Sequence, residues 1–174
     1  MKGFPLPFSE FHVDQEFVTP HRTVSAEEID RFAELSEDHN PLHRDREFAR
    51  STRFGTVIAH GAFTFSILTG LWDRAGFMSG TVEAFVAVDR LRFLLPVRAG
   101  DELHARVRVL ATSPRASGGV IVLDNSLSNQ RDEAVLSCQT TLLIRADRPS
   151  IRSTRSPVNA RPTGRWRAPE PAEP

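Results

Sequence analysis

The 174-residue chain has a single cysteine and no formal net charge at pH 7. One cysteine, Cys138, excludes an intramolecular disulfide and a metal cage built from several thiolates. Because Cys138 falls within an alternating apolar run, we expect a buried thiol rather than a nucleophile. Zero net charge leaves no global field that would recruit nucleic acid or an anionic membrane surface. Nucleic acid is therefore not an expected partner.

The sequence also lacks a long hydrophobic run. Its most apolar segment, Val57 to Trp72, is shorter than the ~18 residues that a spanning helix needs, and His60 interrupts it. The first eight residues contain no sustained apolar stretch of the secretory type. We therefore expect no membrane span and a cytoplasmic location.

The last stretch of the chain, Ala146 to Pro174, has little that could form a core. It carries six of the twelve prolines, and six arginines against three acidic residues give it a formal charge of +3. Such a composition cannot bury enough apolar surface to offset the entropy lost on ordering. We predict one domain over residues 8–145, followed by a Pro/Arg-rich flexible tail over 146–174.

Two helices are predicted in the first half of the domain. Residues 25–28, Ser-Ala-Glu-Glu, form a capping box, and apolar residues follow at helical spacing. This helix should end near Asp38, because Pro41 disfavours helical geometry at the residue before it. A short helical turn is expected over 45–50. The second helix, 61–71, is apolar on nearly all sides, which is typical of a buried helix, and its small residues at every fourth position should lie close to a sheet.

From Thr81 onward, apolar residues recur at every second position, which predicts antiparallel strands. The strands are expected near 91–95, 103–109, 120–127 and 134–144, with turns at 98–101 and 129–133. Helices that precede a run of strands indicate an α+β fold. The predicted architecture is a single domain in which an antiparallel sheet wraps a central apolar helix.

The densest group of chemically active side chains is the octapeptide 36–43, Ser-Glu-Asp-His-Asn-Pro-Leu-His. Pro41 makes the chain bend between Asp38 and His43, so these two side chains can converge on one small volume. A carboxylate beside an imidazole is a plausible acid–base couple, since each biases the protonation of the other. From the residues alone, helix capping and satisfaction of backbone groups by Asp38 and His43 are favoured over catalysis as the explanation of the pattern.

A metal site is the other hypothesis for this segment, with Asp38, His39, His43 and His60 as ligands. The spacing of His39 and His43 would place both on one helical face, but Pro41 between them argues against a continuous helix. No second ligand pair with a recognised metal-binding spacing follows. The sequence therefore does not favour a metal.

The octapeptide closely resembles the hydratase-2 signature, S-G-D-x-N-P-[LI]-H, of the MaoC-like (R)-specific enoyl-CoA hydratases. Further matches to that family occur at residues 48–49, 54, 58–61, 68–71, 91–97 and 100–101. The resemblance covers residues 8 to 145, and the His-Gly pair at 60–61 stands at the family's spacing from the octapeptide.

The resemblance implies a hot-dog fold, a homodimer, and substrates that are acyl thioesters of coenzyme A or of acyl carrier protein. It implies reversible hydration of a 2-enoyl thioester to an (R)-3-hydroxyacyl thioester, which requires no metal or redox cofactor. Asp38 and His43 correspond to the catalytic pair, and Gly61 corresponds to the residue whose backbone N–H meets the thioester oxygen. Thr69 falls where the family often carries a small hydroxyl residue that supports the site.

Asn40 and His60 lie beside these residues in the sequence and have other expected roles. Asn40 is expected to stabilise the bend. His60 either orients Gly61 and lines the pocket or is a packed, hydrogen-bonded core histidine. Glu37 departs from the signature, which has glycine there, and a residue other than glycine at a left-handed position costs ~1 kcal/mol.

The resemblance leaves two alternatives to a self-sufficient hydratase. One is a non-catalytic or partner-dependent subunit of a heterodimeric dehydratase, and the other is a thioesterase of the same fold. Retention of both Asp38 and His43 argues against the first, and the octapeptide is not characteristic of the second.

Overall fold

The computed structural model describes residues 5–146, in which the helices precede the long strands. The helices are α1 (Ala26–Ser36), α2 (Pro41–Arg44), α3 (Arg46–Ser51) and α4 (Gly61–Ala75), and a 3-10 helix, Phe8–Glu10, comes before them. The strands are β1 (Glu16–Val18), β2 (Arg22–Thr23), β3 (Val82–Phe93), β4 (Glu102–Arg115), β5 (Gly118–Ser128) and β6 (Ala134–Arg145). This order confirms the predicted α+β class.

Local side-chain chemistry sets both ends of α1. Ser25 Oγ accepts the N–H of Glu28 at 3.1 Å, and the Glu28 carboxylate accepts the N–H of Ser25 at 2.9 Å, which is the predicted capping box. The helix stops at Ser36 because Glu37 adopts the left-handed conformation, with φ 58° and ψ 14°. Glycine is the residue that takes this conformation without steric cost, so Glu37 carries the strain expected from its departure from the signature.

The strands form one antiparallel sheet in the order β1–β4–β5–β6–β3, and β2 also pairs with β4. The turn between β3 and β4 is the predicted one, since Asp101 Oδ2 accepts the N–H of Arg98 at 2.7 Å and Gly100 has φ +92°. Within the described part of the chain, β3 pairs only with β6, so its second edge is open.

The apolar helix α4 packs on one face of the sheet. Ile67, Leu68 and Leu71 are at most 1% exposed and belong to the same core cluster as Leu103, Ile121, Leu123 and Leu142 of the sheet. This arrangement confirms the predicted sheet around a central helix. Cys138 is also in this core, and burial raises the pKa of its thiol to about 11, so it is a packed thiol as expected.

One expectation about α4 is wrong. The small residues Ala62, Ser66 and Gly70 were expected to lie against the sheet, but all three are exposed, and nothing lies within 4 Å of a Cβ built at Gly70. The large residues of the helix bury more apolar area than the small ones, so they face the sheet instead.

The predicted tail, 146–174, lies outside the described residues except for Ala146, whose N–H donates to the carbonyl of Ser117 at 2.9 Å. The division of the chain into residues 8–145 and 146–174 therefore stays a prediction. Between residues 5 and 146, no helix is both long enough and apolar enough to cross a membrane.

Replacing Leu68 by alanine tests the role of the central helix. Leu68 is 0% exposed, so Leu68→Ala should lower the free energy of unfolding by about 2–5 kcal/mol through lost burial and a residual cavity. Leu35→Ala is the matched control on α1, where the side chain is 83% exposed, and should change stability by less than ~0.5 kcal/mol. Urea unfolding at one fixed protein concentration measures both. Equal effects would contradict the packing described for α4.

Candidate active site

The loop between α1 and α2 holds Asp38 in a defined turn. Asp38 Oδ1 accepts the N–H of Asn40 at 3.2 Å, and Asn40 Oδ1 accepts the N–H of Leu42 at 3.0 Å. Asn40 is thus the N-cap of α2, as expected of a residue that stabilises the bend. The sequence predicted that Pro41 would end the preceding helix, but α1 already ends at Ser36, through Glu37. Pro41 instead occupies the first position of α2, where its missing N–H costs nothing.

His43 lies on α2, and one hydrogen bond fixes its tautomer. Its Nδ1 is 2.8 Å from the carbonyl oxygen of Ile58. Because a carbonyl can only accept, Nδ1 must carry the proton, which leaves the lone pair of a neutral ring on Nε2. The half-buried imidazole is therefore oriented with its basic nitrogen away from the backbone of the 58–60 segment.

His60 is buried, at 2% exposure, between the loop and α4. Its Nε2 lies 3.0 Å from the carbonyl oxygen of Asp38 and, by the same reasoning, donates to it. Its ring stacks on that of His43 with centroids 3.8 Å apart, and among the described residues its Nδ1 has no partner. Burial lowers the pKa of His60, and the hydrogen bond to Asp38 opposes this only in part, so His60 is neutral at pH 7.

These contacts bring Asp38, His43 and His60 together. One carboxylate oxygen and one nitrogen of each imidazole lie within 4.8 Å of one another. The carboxylate is exposed, His43 is half-buried and His60 is buried, so a small solute can reach the first two. Such spacing would also admit a cation, but His39, the fourth residue of the metal hypothesis, lies with its Nδ1 2.7 Å from Nη1 of Arg44 at the surface.

Gly61 is the first residue of α4, so its N–H has no acceptor within the helix and lies at the positive end of the helix dipole. It contributes to a cavity of about 280 Å³ that also contains His43, Phe54 and Phe93. The ring of Phe93 approaches within 2.9 Å of the position that a Cβ at residue 61 would occupy. A side chain at position 61 would therefore collide with this ring.

Thr69 is not part of this arrangement within the protomer. Its Oγ1 donates to the carbonyl of Ser66 at 2.9 Å, and it lines a different cavity together with Trp72 and Phe85. Two turns of helix separate it from Gly61, a distance of about 12 Å along the axis.

Two sets of residues at the site were missed from the sequence. Phe93 lay within a segment that matched the family, but strand alternation could not reveal that its ring covers Gly61. Several arginines line a second cavity, which also has His43 in its lining. The spacing of the arginines at 46 and 50 was the only hint of this cavity in the sequence. It was not sufficient, because charged residues at this spacing also occur on ordinary solvent-exposed helix faces.

A sheet around a buried helix, with a carboxylate and two imidazoles close together beside a largely apolar cavity, is the arrangement expected of the family that the sequence resembled. The family described as "MaoC like domain" matches residues 9–129. The chain belongs to this family.

Two relatives illustrate the similarity in sequence. The uncharacterized protein YdeM of Bacillus subtilis is 32% identical over 141 residues, which cover 80% of this chain and 99% of the relative. The (R)-specific enoyl-CoA hydratase of Aeromonas caviae is 42% identical over 90 residues, which cover 52% of this chain and 65% of the relative.

Solved structures give the fold its name. The (R)-hydratase of A. caviae superposes with a TM-score of 0.66 at 30% identity, over 78% of this chain and 98% of that one. A Mycobacterium tuberculosis protein described as a double hot-dog fold superposes with a TM-score of 0.73 at 19% identity, over 85% of this chain and 46% of that one. The described region is therefore a single hot-dog domain.

The lowered pKa of His60 predicts a pH-dependent contribution to stability. Above the ordinary value of 6.5 the ring is neutral in both folded and unfolded chains, and its hydrogen bond to Asp38 contributes about 0.5–1.5 kcal/mol to stability. Below 6.5 the unfolded chain binds the proton first, so this contribution decreases as the pH falls towards the folded pKa.

The stability of the wild type relative to His60→Gln should therefore be larger well above pH 6.5 than well below it. Chemical unfolding of both proteins across this range measures the difference. His12→Gln, at an exposed histidine, controls for the loss of one imidazole. A stability difference that stays constant or grows on acidification would contradict the assignment of His60 as a buried neutral donor.

Proposed function

We propose that this protein catalyses the reversible hydration of a 2-enoyl thioester, carried by coenzyme A, to the (R)-3-hydroxyacyl thioester. The observation that carries the proposal is the convergence of Asp38 and His43 next to a cavity that His43 and Gly61 both line. The (R)-specific enoyl-CoA hydratase of A. caviae, by its name, acts on this type of substrate and supports the choice.

Asp38 and His43 form the proposed catalytic pair. The lone pair on His43 Nε2 and the Asp38 carboxylate hold a water molecule between them. The pair accepts a proton as the water oxygen bonds to C3 of the enoyl group, and a proton is returned to C2. Positioned acid–base groups of this kind contribute about 10²–10⁴ in rate.

Gly61 is the proposed oxyanion donor. Addition of water at C3 places negative charge on the thioester carbonyl oxygen, and a backbone N–H directed at that oxygen contributes about 10²–10³ in rate. Two features support Gly61 in this role. Its N–H is free at the start of α4, and the helix dipole adds to its attraction for negative charge.

His60 and Asn40 act as positioning residues in this proposal. His60 joins the backbone of Asp38 to the beginning of α4, and Asn40 fixes α2 relative to the same loop. Neither needs to exchange a proton with substrate. A role for Thr69 remains a prediction that follows only from its place in the family's pattern, because its hydroxyl lines another cavity.

The proposed assembly is a homodimer formed through β3. Six large apolar side chains of β3 and the segment after it are 36–53% exposed in the protomer: Phe85, Val88, Leu91, Phe93, Leu94 and Leu95. They lie along the sheet edge that is open in the described part of the chain. A contiguous apolar edge of this kind is costly in water and is suited to pairing with a second copy.

The assay for the catalytic pair follows the loss of enoyl absorbance when crotonyl-CoA is mixed with purified protein. Asp38→Asn and His43→Ala should each reduce turnover by at least about 10²-fold, because each removes one half of the acid–base pair. His12→Ala, at an exposed histidine outside the site, should retain wild-type turnover.

Two results would reject the assignment. Near-wild-type turnover by either variant would mean that the pair is not catalytic. Thioester cleavage also removes the enoyl absorbance, but it releases a free thiol. A loss of absorbance that is matched by release of free thiol in the same samples would therefore identify a thioesterase instead. Circular dichroism of each variant separates loss of chemistry from loss of fold.

The dimer is tested by a charge at its proposed interface. Wild-type protein should have twice the chain mass of 19.4 kDa in solution, and Leu91→Asp should shift it to the monomer, because an unpaired carboxylate would be buried in the interface. Leu35→Asp introduces the same charge on the exposed face of α1 and should remain dimeric. Light scattering after gel filtration gives the masses. A monomeric wild type would overturn the proposal.

A further inference from the structure

A second cavity, of about 370 Å³, also has His43 in its lining and is rich in arginine. Arg44, Arg46, Arg50 and Arg98 line it, and Asp30 is the one acidic residue among its lining side chains. Four cations against one anion give a local charge of +3, in a chain whose formal net charge is zero. The cavity lining therefore carries a local excess of positive charge that the chain as a whole does not.

Three of the four guanidinium groups are available for a ligand. Arg44 is already paired with Glu34, at 2.7 Å. Arg46 and Arg50 make no ion pair within the described residues, and Arg98 donates through one nitrogen to the carbonyl of Phe54 at 3.4 Å. Arg46 and Arg50 are four residues apart on α3, so both side chains project from one face of that helix.

The planar fork of arginine matches the oxygens of phosphate, to which it binds in a bidentate manner. We propose that this cavity binds the phosphates of the pantetheine-bearing group that carries the thioester, with Arg46, Arg50 and Arg98 as the phosphate ligands. The inference deepens the proposed function and rests on it. His43 lies in the wall of both cavities, so a thioester extending from the phosphate cavity arrives beside the proposed catalytic pair.

The two cavities suit the two ends of such a substrate. The cavity with Gly61 is walled largely by apolar side chains, among them Phe54, Phe93 and Leu94, and suits an acyl chain. The arginine cavity suits the anionic end. Among the described residues, three of the cavity's guanidinium groups have no ion pair, which is more than the single phosphodiester of a carrier protein's phosphopantetheine requires. The number matches the three phosphate groups of free coenzyme A. Coenzyme A is therefore the favoured source of the phosphates.

The first test compares crotonyl-CoA with crotonyl-pantetheine, which has the same reactive end and no phosphate. The measured quantity is the ratio of kcat/KM for the two substrates. Wild type should prefer the CoA thioester, and the double variant Arg46→Gln/Arg50→Gln should reduce that preference by about tenfold, since two partly exposed charged contacts are lost. Arg108→Gln removes one exposed arginine on β4, away from both cavities, and should leave the ratio unchanged.

The second test measures binding without chemistry, by titration calorimetry with adenosine 3′,5′-bisphosphate. Binding should weaken about tenfold in the double variant and also weaken as salt is added. This test separates the two proposals: if no thioester is turned over but the bisphosphate binds through these arginines, the hydratase proposal fails and the phosphate site stands.

Crotonyl-phosphopantetheine, with one phosphate, distinguishes the two sources. One result would support the phosphate site but change its ligand. In that case crotonyl-phosphopantetheine is preferred over crotonyl-pantetheine as strongly as crotonyl-CoA is, the preference depends on the arginines, and adenosine 3′,5′-bisphosphate does not bind. The ligand would then be the phosphopantetheine of a carrier protein and not coenzyme A. Equal kcat/KM for crotonyl-CoA and crotonyl-pantetheine, together with no change in the double variant, overturns the proposal.

Discussion

The hydrogen bond from His60 Nε2 to the carbonyl oxygen of Asp38 joins two parts of the chain that local structure alone would leave independent. On one side is the loop that ends α1, and on the other is the first turn of the buried helix α4. Because α4 is held by the core, the bond transmits the rigidity of the core to an exposed carboxylate. The stack of His60 on His43 extends the same constraint to the imidazole. Side chains carried by short surface elements are thereby held in a fixed arrangement, which the proposed acid–base chemistry would require.

His43 divides the surroundings of this site into two chemically different spaces. On one side, Gly61 and aromatic rings enclose an apolar cavity, and on the other, arginines line a polar one. Its Nδ1 is fixed by the backbone of Ile58, so the ring cannot rotate to serve either cavity without breaking a 2.8 Å hydrogen bond. This bond keeps the His43 ring in one orientation in the wall that the two cavities share.

Much of the fold was predictable because its signals are local. The capping box at Ser25, the apolar helix from Gly61 and the alternation along β4 each depend on neighbours within a few residues. The prediction was wrong for the small residues of α4, whose exposure depends on which face of the helix gains more burial. It was also wrong about Pro41, which does not end α1 but begins α2, because the left-handed Glu37 has already ended the first helix. The roles of the site residues stay predictions, although the structure brings Asp38, His43 and His60 together.

The sequence by itself determined the fold class, the family and the residue types at the candidate site, because periodicity, capping and the octapeptide 36–43 are all written in consecutive residues. Tertiary structure alone decided that Phe93 covers Gly61, that Thr69 lines a separate cavity, and that the arginines of α3 and Arg98 share one space. These relations join residues that are distant along the chain. They depend on how the sheet packs against α4, which is settled by the total burial of many side chains and not by any short segment.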